Sequence, residues 1–126
     1  MKTVITTKNA PAPIGPYNQA ILKGNTLYTS GQIAINPETN TLVLDDIKTE
    51  TKQVMENVKA VLEAASMTFE HVIKSSIFIS NMDDFGLINE VYGSYFDHTK
   101  APARETVQVA RLPKNVNVEI SVIAIK

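Results

Sequence analysis

Apolar and polar positions repeat with two different periods along this chain, and the switches between them mark out its elements. From Ile47 to Ala65 the residues Val54, Val58, Val61, Leu62 and Ala65 share one face of a 3.6-residue repeat, which predicts a helix that Asp46 or Thr49 can cap. Val72 to Ser80 is rich in β-branched and aromatic residues and reads as a strand. Asp84 to Phe96 returns to the helical period through Ile88, Val91, Tyr92 and Tyr95, with Asn81, Asp83 or Asp84 as caps. Ahead of the helices, Val4–Thr6 predicts a short strand. Tyr17–Leu22 and Thr26–Thr29 predict a hairpin around Lys23-Gly24-Asn25, where Gly and Asn suit positive φ. Asn9 to Pro16 contains three prolines, which remove donors and fix φ, so this stretch is an ordered loop or a lid. Ser30-Gly31 ends the second strand, and Asn36 to Asn40 is a turn-rich connection.

The last quarter alternates with period two, but single charges interrupt it. Arg104, Thr106 and Gln108 share one face, and Ala103, Val107 and Val109 the other. After a connection through Leu112-Pro113-Lys114-Asn115, Val116, Val118, Ile120, Val122 and Ala124 make an apolar face, with Asn117, Glu119 and Ser121 opposite. If both strands join a sheet whose apolar face meets the helices, Arg104 and Glu119 point to the same far side, as a carboxylate clamp beside an acid/base, and Glu105 turns to the other. The element order predicts an α+β fold: one mixed β-sheet with two helices packed on one face, in a single domain spanning residues 1–126. The uncovered face would expose Ile123 and Ile125 beside Thr106, Gln108 and Glu119. That mixed surface suits burial between subunits, so a homo-oligomer with sites at its interfaces is expected.

Composition narrows the function classes. A net charge of −1 with mixed signs throughout gives no basic face for a polyanion, so nucleic acid is not the expected partner. Met1 to Thr7 lacks the apolar core of a signal peptide and no apolar run is long enough to span a bilayer, which leaves a cytoplasmic protein as the expectation. The absence of cysteine excludes disulfides, thiolate metal sites and a thiol nucleophile. His71 and His98 are isolated, so no metal site is expected. There is no Walker loop, dinucleotide fingerprint or serine nucleophile elbow.

The candidate residues each have two readings at this level. Arg104 follows the stiff Pro102-Ala103, and its planar guanidinium matches a carboxylate in bidentate geometry; a salt bridge to Glu119 or Glu105 serves equally well. Arg111, at a strand end, suits a surface or intersubunit ion pair. Glu119 lies among Val118, Ile120 and Val122, where partial burial raises a carboxyl pKa as proton transfer requires; an exposed edge glutamate is the alternative. Asn89 sits three residues before Tyr92 and four after Phe85, where a buried amide ordinarily satisfies backbone groups. Tyr17 and Ser30 border loops, where ligand contacts gather, but both also suit ordinary turn chemistry.

The strings Ala12-Pro13-Ile14-Gly15-Pro16-Tyr17, Thr29-Ser30-Gly31-Gln32-Ile33, Pro102-Ala103-Arg104 and Val109-Ala110-Arg111-Leu112-Pro113-Lys114 closely resemble the Rid (YjgF/YER057c/UK114) family, nearest its RidA branch. The resemblance covers essentially the whole chain, and several motifs in order are far more specific than any one. It implies a chorismate-mutase-like fold and a homotrimer with three intersubunit clefts. It also implies 2-iminobutanoate/2-iminopropanoate deaminase activity on the enamine/imine products of pyridoxal-phosphate-dependent dehydratases, with no cofactor of its own. By position, Arg104 matches the arginine that grips the substrate carboxylate and Glu119 the acid near the hydrolytic water. Tyr17, Ser30, Gly31 and Asn89 match residues lining the cleft. Thr106 stands where many RidA proteins have cysteine and still offers a hydroxyl to the imine nitrogen or water. Pro13, where a small residue is common, stiffens the loop before Tyr17. The family also carries an endoribonuclease label. A non-catalytic regulatory trimer that binds small carboxylates would use the same clefts.

Overall fold

The computed structural model describes residues 1–126. Strands β1 (Thr3–Ile5), β2 (Ala20–Lys23), β3 (Thr26–Thr29), β6 (Val72–Ile79), β7 (Ala103–Gln108) and β8 (Val118–Ile125) form one sheet in the order β1-β2-β3-β8-β6-β7. β4 (Ile35–Asn36) and β5 (Thr41–Leu42) make a separate two-stranded ribbon within the turn-rich stretch. Helices α1 (Ile47–Ala64) and α2 (Phe85–Gly93) cover one face of the sheet. Only β6 and β7, joined through α2, run parallel, so the sheet is mixed. No helix is long and apolar enough to cross a membrane.

Local chemistry explains the elements. Asp46 caps α1: its Oδ1 accepts from the Thr49 N–H at 2.8 Å. The helix ends in a Schellman motif, with the Met67 N–H donating to Leu62 O and the Ser66 N–H to Glu63 O, each at 2.9 Å, and Ser66 left-handed at φ 59°. Between these ends Val54, Met55, Val58, Val61 and Leu62 are fully buried against Ile77, Ile79, Val118, Ile120 and Val122 of the sheet. The second helix is shorter than its apolar repeat. After Gly93 the chain tightens, with Tyr95 N–H bonded to Tyr92 O and Phe96 N–H to Gly93 O, both at 3.2 Å. β2 starts at Ala20 rather than Tyr17, because the Tyr17 N–H turns back to Gly15 O at 2.8 Å. β8 starts two residues later than its alternation, after a turn with Lys114 and Asn115 at φ 55° and 56°.

The sheet register corrects one expectation. Arg104, Thr106 and Gln108 pair with Ser75, Ile77 and Ile79, all of which are buried under the helices. Glu119 pairs with Phe78, on the other face, where Val107 and Glu105 also lie. Arg104 and Glu119 therefore point to opposite sides of the sheet. Period-two alternation says which residues share a face but not which face meets the helices. β7 is an edge strand with little cover, so its helix-side positions need not be apolar. The uncovered face carries Val4, Tyr28, Val107, Ile123 and Ile125 with Glu105 and Glu119, and not Thr106 or Gln108.

A buried amide fastens the proline-rich loop. Gln19 Oε1 accepts from the Thr7 N–H at 2.7 Å, and its Nε2 donates to Thr7 O at 2.9 Å, Ala10 O at 3.2 Å and Pro11 O at 2.9 Å. One side chain thus meets backbone groups that a loop without a ladder cannot satisfy itself. Gln19→Ala should cost about 2 kcal/mol, lower the melting temperature and speed tryptic cleavage after Lys8. Unchanged cleavage would show that the loop is held by other contacts.

Candidate active site

The candidate residues form two groups on opposite faces. On the helix side, Arg104 reaches from β7 across α2, where Phe85, Asn89 and Tyr92 share a helical face at spacings of four and three. Arg104 Nη1 donates to Asn89 Oδ1 at 2.6 Å, and the guanidinium carbon lies 5.2 Å from the Tyr92 ring centroid and 5.5 Å from that of Phe85. The Tyr92 ring is itself held, since its hydroxyl donates to Ser75 Oγ at 2.9 Å; burial raises its pKa against the opposing effects of Ser75 and Arg104. Two rings and an amide oxygen thus aim the cation without neutralising it.

No carboxylate pairs with Arg104. The chain's ion pairs are Lys48 with Glu90 at 3.0 Å and Lys74 with Glu105 at 2.8 Å. Glu105 is on the far face, as its alternation from Arg104 requires; its contacts with Lys74 and with the Ser76 hydroxyl hold its pKa below the usual carboxylate range. Both salt bridges that could have explained Arg104 structurally are therefore absent. Beside the guanidinium opens a cavity of about 700 Å³, whose walls include Tyr92, Phe96, His98 and Pro102. Thr106 is on the same side of β7, but its Oγ1 is enclosed and has no hydrogen-bond partner, so this hydroxyl does not open towards that cavity.

The second group lies where β3, β8 and the proline-rich loop meet. Tyr17, Gly31, Pro113 and Glu119 line a cavity of about 80 Å³ together with Pro11 and Ile14. Tyr17 is half exposed, and its hydroxyl accepts from the Ile14 N–H at 3.4 Å. Ser30 Oγ donates to Asn18 O at 2.5 Å, which ties the end of β3 to the loop rather than aiming a hydroxyl at the cavity. Gly31 has a steric reason to be glycine: a Cβ there would fall 2.7 Å from Glu119 Cδ and 2.9 Å from Cγ. Glu119 is half-buried with no cation beside it, and burial raises its pKa above the ordinary glutamate value.

Asn89 is exposed and serves Arg104, not the backbone. Its spacing to Phe85 and Tyr92 was the available signal for this cage. Periodicity gave no signal for two buried polar residues near the second group, Gln19, which fastens the loop, and Glu50, which bonds Asn117 and Val118, because amphipathic patterning treats a polar residue as exposed. No group of three or more His, Asp or Glu side chains is placed to hold a metal ion.

These features describe a small α+β protein with an unpaired arginine on one face of its sheet and a proton-retaining glutamate on the other. Residues 7–126 match the family model described as Endoribonuclease L-PSP. The chain is 54% identical over 126 residues to a RutC family protein of Pyrococcus horikoshii, covering 100% of this chain and 99% of that one. It is 48% identical over 124 residues to a 2-iminobutanoate/2-iminopropanoate deaminase of Dermatophagoides farinae, covering 98% and 96% respectively. The solved structure of E. coli TdcF with bound serine matches with a TM-score of 0.93 at 43% identity, over 98% of each chain. The chain belongs to the Rid (YjgF) family and has that family's fold, as its sequence motifs led us to expect.

The raised pKa of Glu119 has a thermodynamic sign. The folded chain keeps this proton to higher pH than the unfolded chain, so Glu119 lowers stability as pH rises from about 4.5 through the folded-state value. Glu119→Gln should therefore melt higher than the native chain at pH 8 and together with it at pH 4. An equal offset at both pH values would count against the raised pKa.

Proposed function

We propose that this protein hydrolyses 2-iminobutanoate and 2-iminopropanoate to the 2-keto acids and ammonia, in clefts formed between protomers of a homotrimer. The observation that carries this reading is Arg104, a guanidinium held by Phe85, Tyr92 and Asn89 yet paired with no carboxylate of its own chain. An aimed, uncompensated cation suits a small carboxylate ligand. The deaminase relative supports the reaction, and the serine bound to the TdcF relative is itself a small carboxylate.

Glu119 supplies the proton transfer. Its carboxylate takes a proton from the water that attacks C2 of the imine and its carboxyl returns that proton to the nitrogen, giving a carbinolamine. The same group then takes the hydroxyl proton and passes it to the amino nitrogen, so the C–N bond breaks and ammonia leaves as the keto group forms. A raised pKa brings this residue nearer to neutrality, where both halves of that cycle are accessible. Free imines hydrolyse unaided, and positioned acid/base help is worth about 10²- to 10⁴-fold, so neither cofactor nor covalent intermediate is required. The imines come from pyridoxal-phosphate-dependent dehydratases. Tyr17 and Gly31 wall the acid side, Asn89 orients the clamp, Ser30 fastens the loop, and Thr106 lies two residues beyond Arg104 on the same side of the edge strand.

The opposite faces of Arg104 and Glu119 support the intersubunit arrangement, because a substrate touching both must take them from two protomers. The endoribonuclease wording of the family model finds no counterpart in a chain of net charge −1.

With threonine, a threonine dehydratase and semicarbazide, the native chain should divert imine from the semicarbazone to 2-ketobutanoate. Failure to do so, while a small carboxylate still binds at Arg104, would leave a non-catalytic binding protein. Arg104→Ala and Glu119→Ala should each abolish the diversion. Mixed and reassembled together, these two inactive chains should regain activity in about a quarter of the clefts of randomly assembled trimers. No regain in verified mixed trimers would refute the two-protomer site.

A further inference from the structure

Glu50, in the first turn of α1, carries a carboxylate with 0% exposure and no cation beside it. Its neighbours on the helix, Val54, Met55 and Val58, belong to the apolar core, where a bare charge is costly. Three N–H donors satisfy it instead. Oε2 accepts from the backbone of Asn117 at 2.8 Å and of Val118 at 3.2 Å, and Oε1 accepts from Asn117 Nδ2 at 2.8 Å. These donors belong to the two residues immediately before Glu119. Asn117 is tied onward to the end of β6, since Ser80 Oγ donates to its Oδ1 at 3.1 Å and the Ser80 N–H to its carbonyl at 3.0 Å. On the other side of Glu119, Ile120 exchanges both backbone hydrogen bonds with Gln32, at 2.8 and 3.1 Å, beside Gly31.

The backbone is therefore fixed on both sides of Glu119, and the upstream fixing point is a buried charge. An apolar side chain at position 50 would extend the core but leave these donors without an acceptor. We propose that Glu50 is a positioning residue: from the helix side of β8 it holds the 117–118 peptide units so that the Glu119 carboxyl stays seated against Gly31 on the opposite face. It meets no substrate. The inference rests on Glu119 being the acid/base of the proposed site.

Glu50→Gln tests it, because the amide keeps one acceptor oxygen and turns an NH₂ group towards the donors. The turnover number for imine hydrolysis should fall roughly ten- to hundredfold. KM should stay within about twofold, since the Arg104 clamp on the other face is untouched. The carboxyl carbon of Glu119, followed by NMR, should titrate closer to an ordinary glutamate. Asn117→Asp in the Glu50→Gln background pairs the new amide with a new carboxylate and should restore both readouts. Val61→Ala, a cavity elsewhere in α1, should lower the melting temperature and change neither. Should Glu50→Gln fail to fold, Asn117→Ala removes the side-chain donor to Glu50 together with the acceptor of Ser80, leaves both backbone donors in place, and should move both readouts less far in the same direction. A Glu50→Gln chain that melts lower but keeps the native Glu119 titration would make Glu50 a stability element and overturn the proposal. A shifted titration in a protein whose native form turns over no imine would uphold the positioning role and instead refute the deaminase reading.

Discussion

β8 is paired on both of its edges, to β3 through Thr26–Tyr28 and to β6 through Val72–Ile79, so the last strand of the chain forms the middle of the sheet. Each of its side chains must take one face or the other. Val118, Ile120, Val122 and Ala124 go to the core under α1, and Glu119 is thereby committed to the uncovered side. A central strand shifts register only by breaking two ladders at once. The Glu119 backbone is consequently fixed between β6 and the Gln32–Ile120 bridge, and the Gly31 and Tyr17 walls are arranged around it. Arg104 is on the edge strand β7, where one ladder alone constrains the backbone and where the rings of α2 supply the missing rigidity.

The two charges are kept apart by the sheet itself. Within one protomer no cation faces Glu119 and no carboxylate faces Arg104, so neither group is neutralised by its own chain. Separated, each keeps a different kind of availability. The arginine stays charged against aromatic faces and an amide, and the glutamate stays partly dehydrated with no counter-ion. Gln19, Ser75 and Glu50, which bond the loop before Tyr17, the Tyr92 hydroxyl and the Asn117–Val118 backbone, are all buried and all hydrogen-bonded.

Helix α1 was legible in the sequence because its apolar stripe, its Asp46 cap and its length agree. The strands were legible because alternation and turn residues coincide. β8's burial pattern is as its alternation reads, whereas β7 misled, since a strand with little cover on either face leaves no apolar signature of which side is inward. The apolar repeat runs three residues past the end of α2 because Tyr95 and Phe96 still pack against the core after the helix has tightened into turns. Arg104 and Glu119 stood out as charges interrupting an apolar rhythm, but their opposed orientation needed the register with β6. Glu50 was invisible for the converse reason: in an amphipathic helix a glutamate counts as solvent-facing, and only the three-dimensional contact with Asn117 and Val118 shows otherwise.

The close approach of Gly31 to Glu119 makes the two positions share one volume. The space that a methyl at 31 would take is occupied by the last carbons of the acid arm. A side chain at 31 would displace that arm from its present seat, so the bare backbone decides where the carboxyl can lie as much as the arm's own length does.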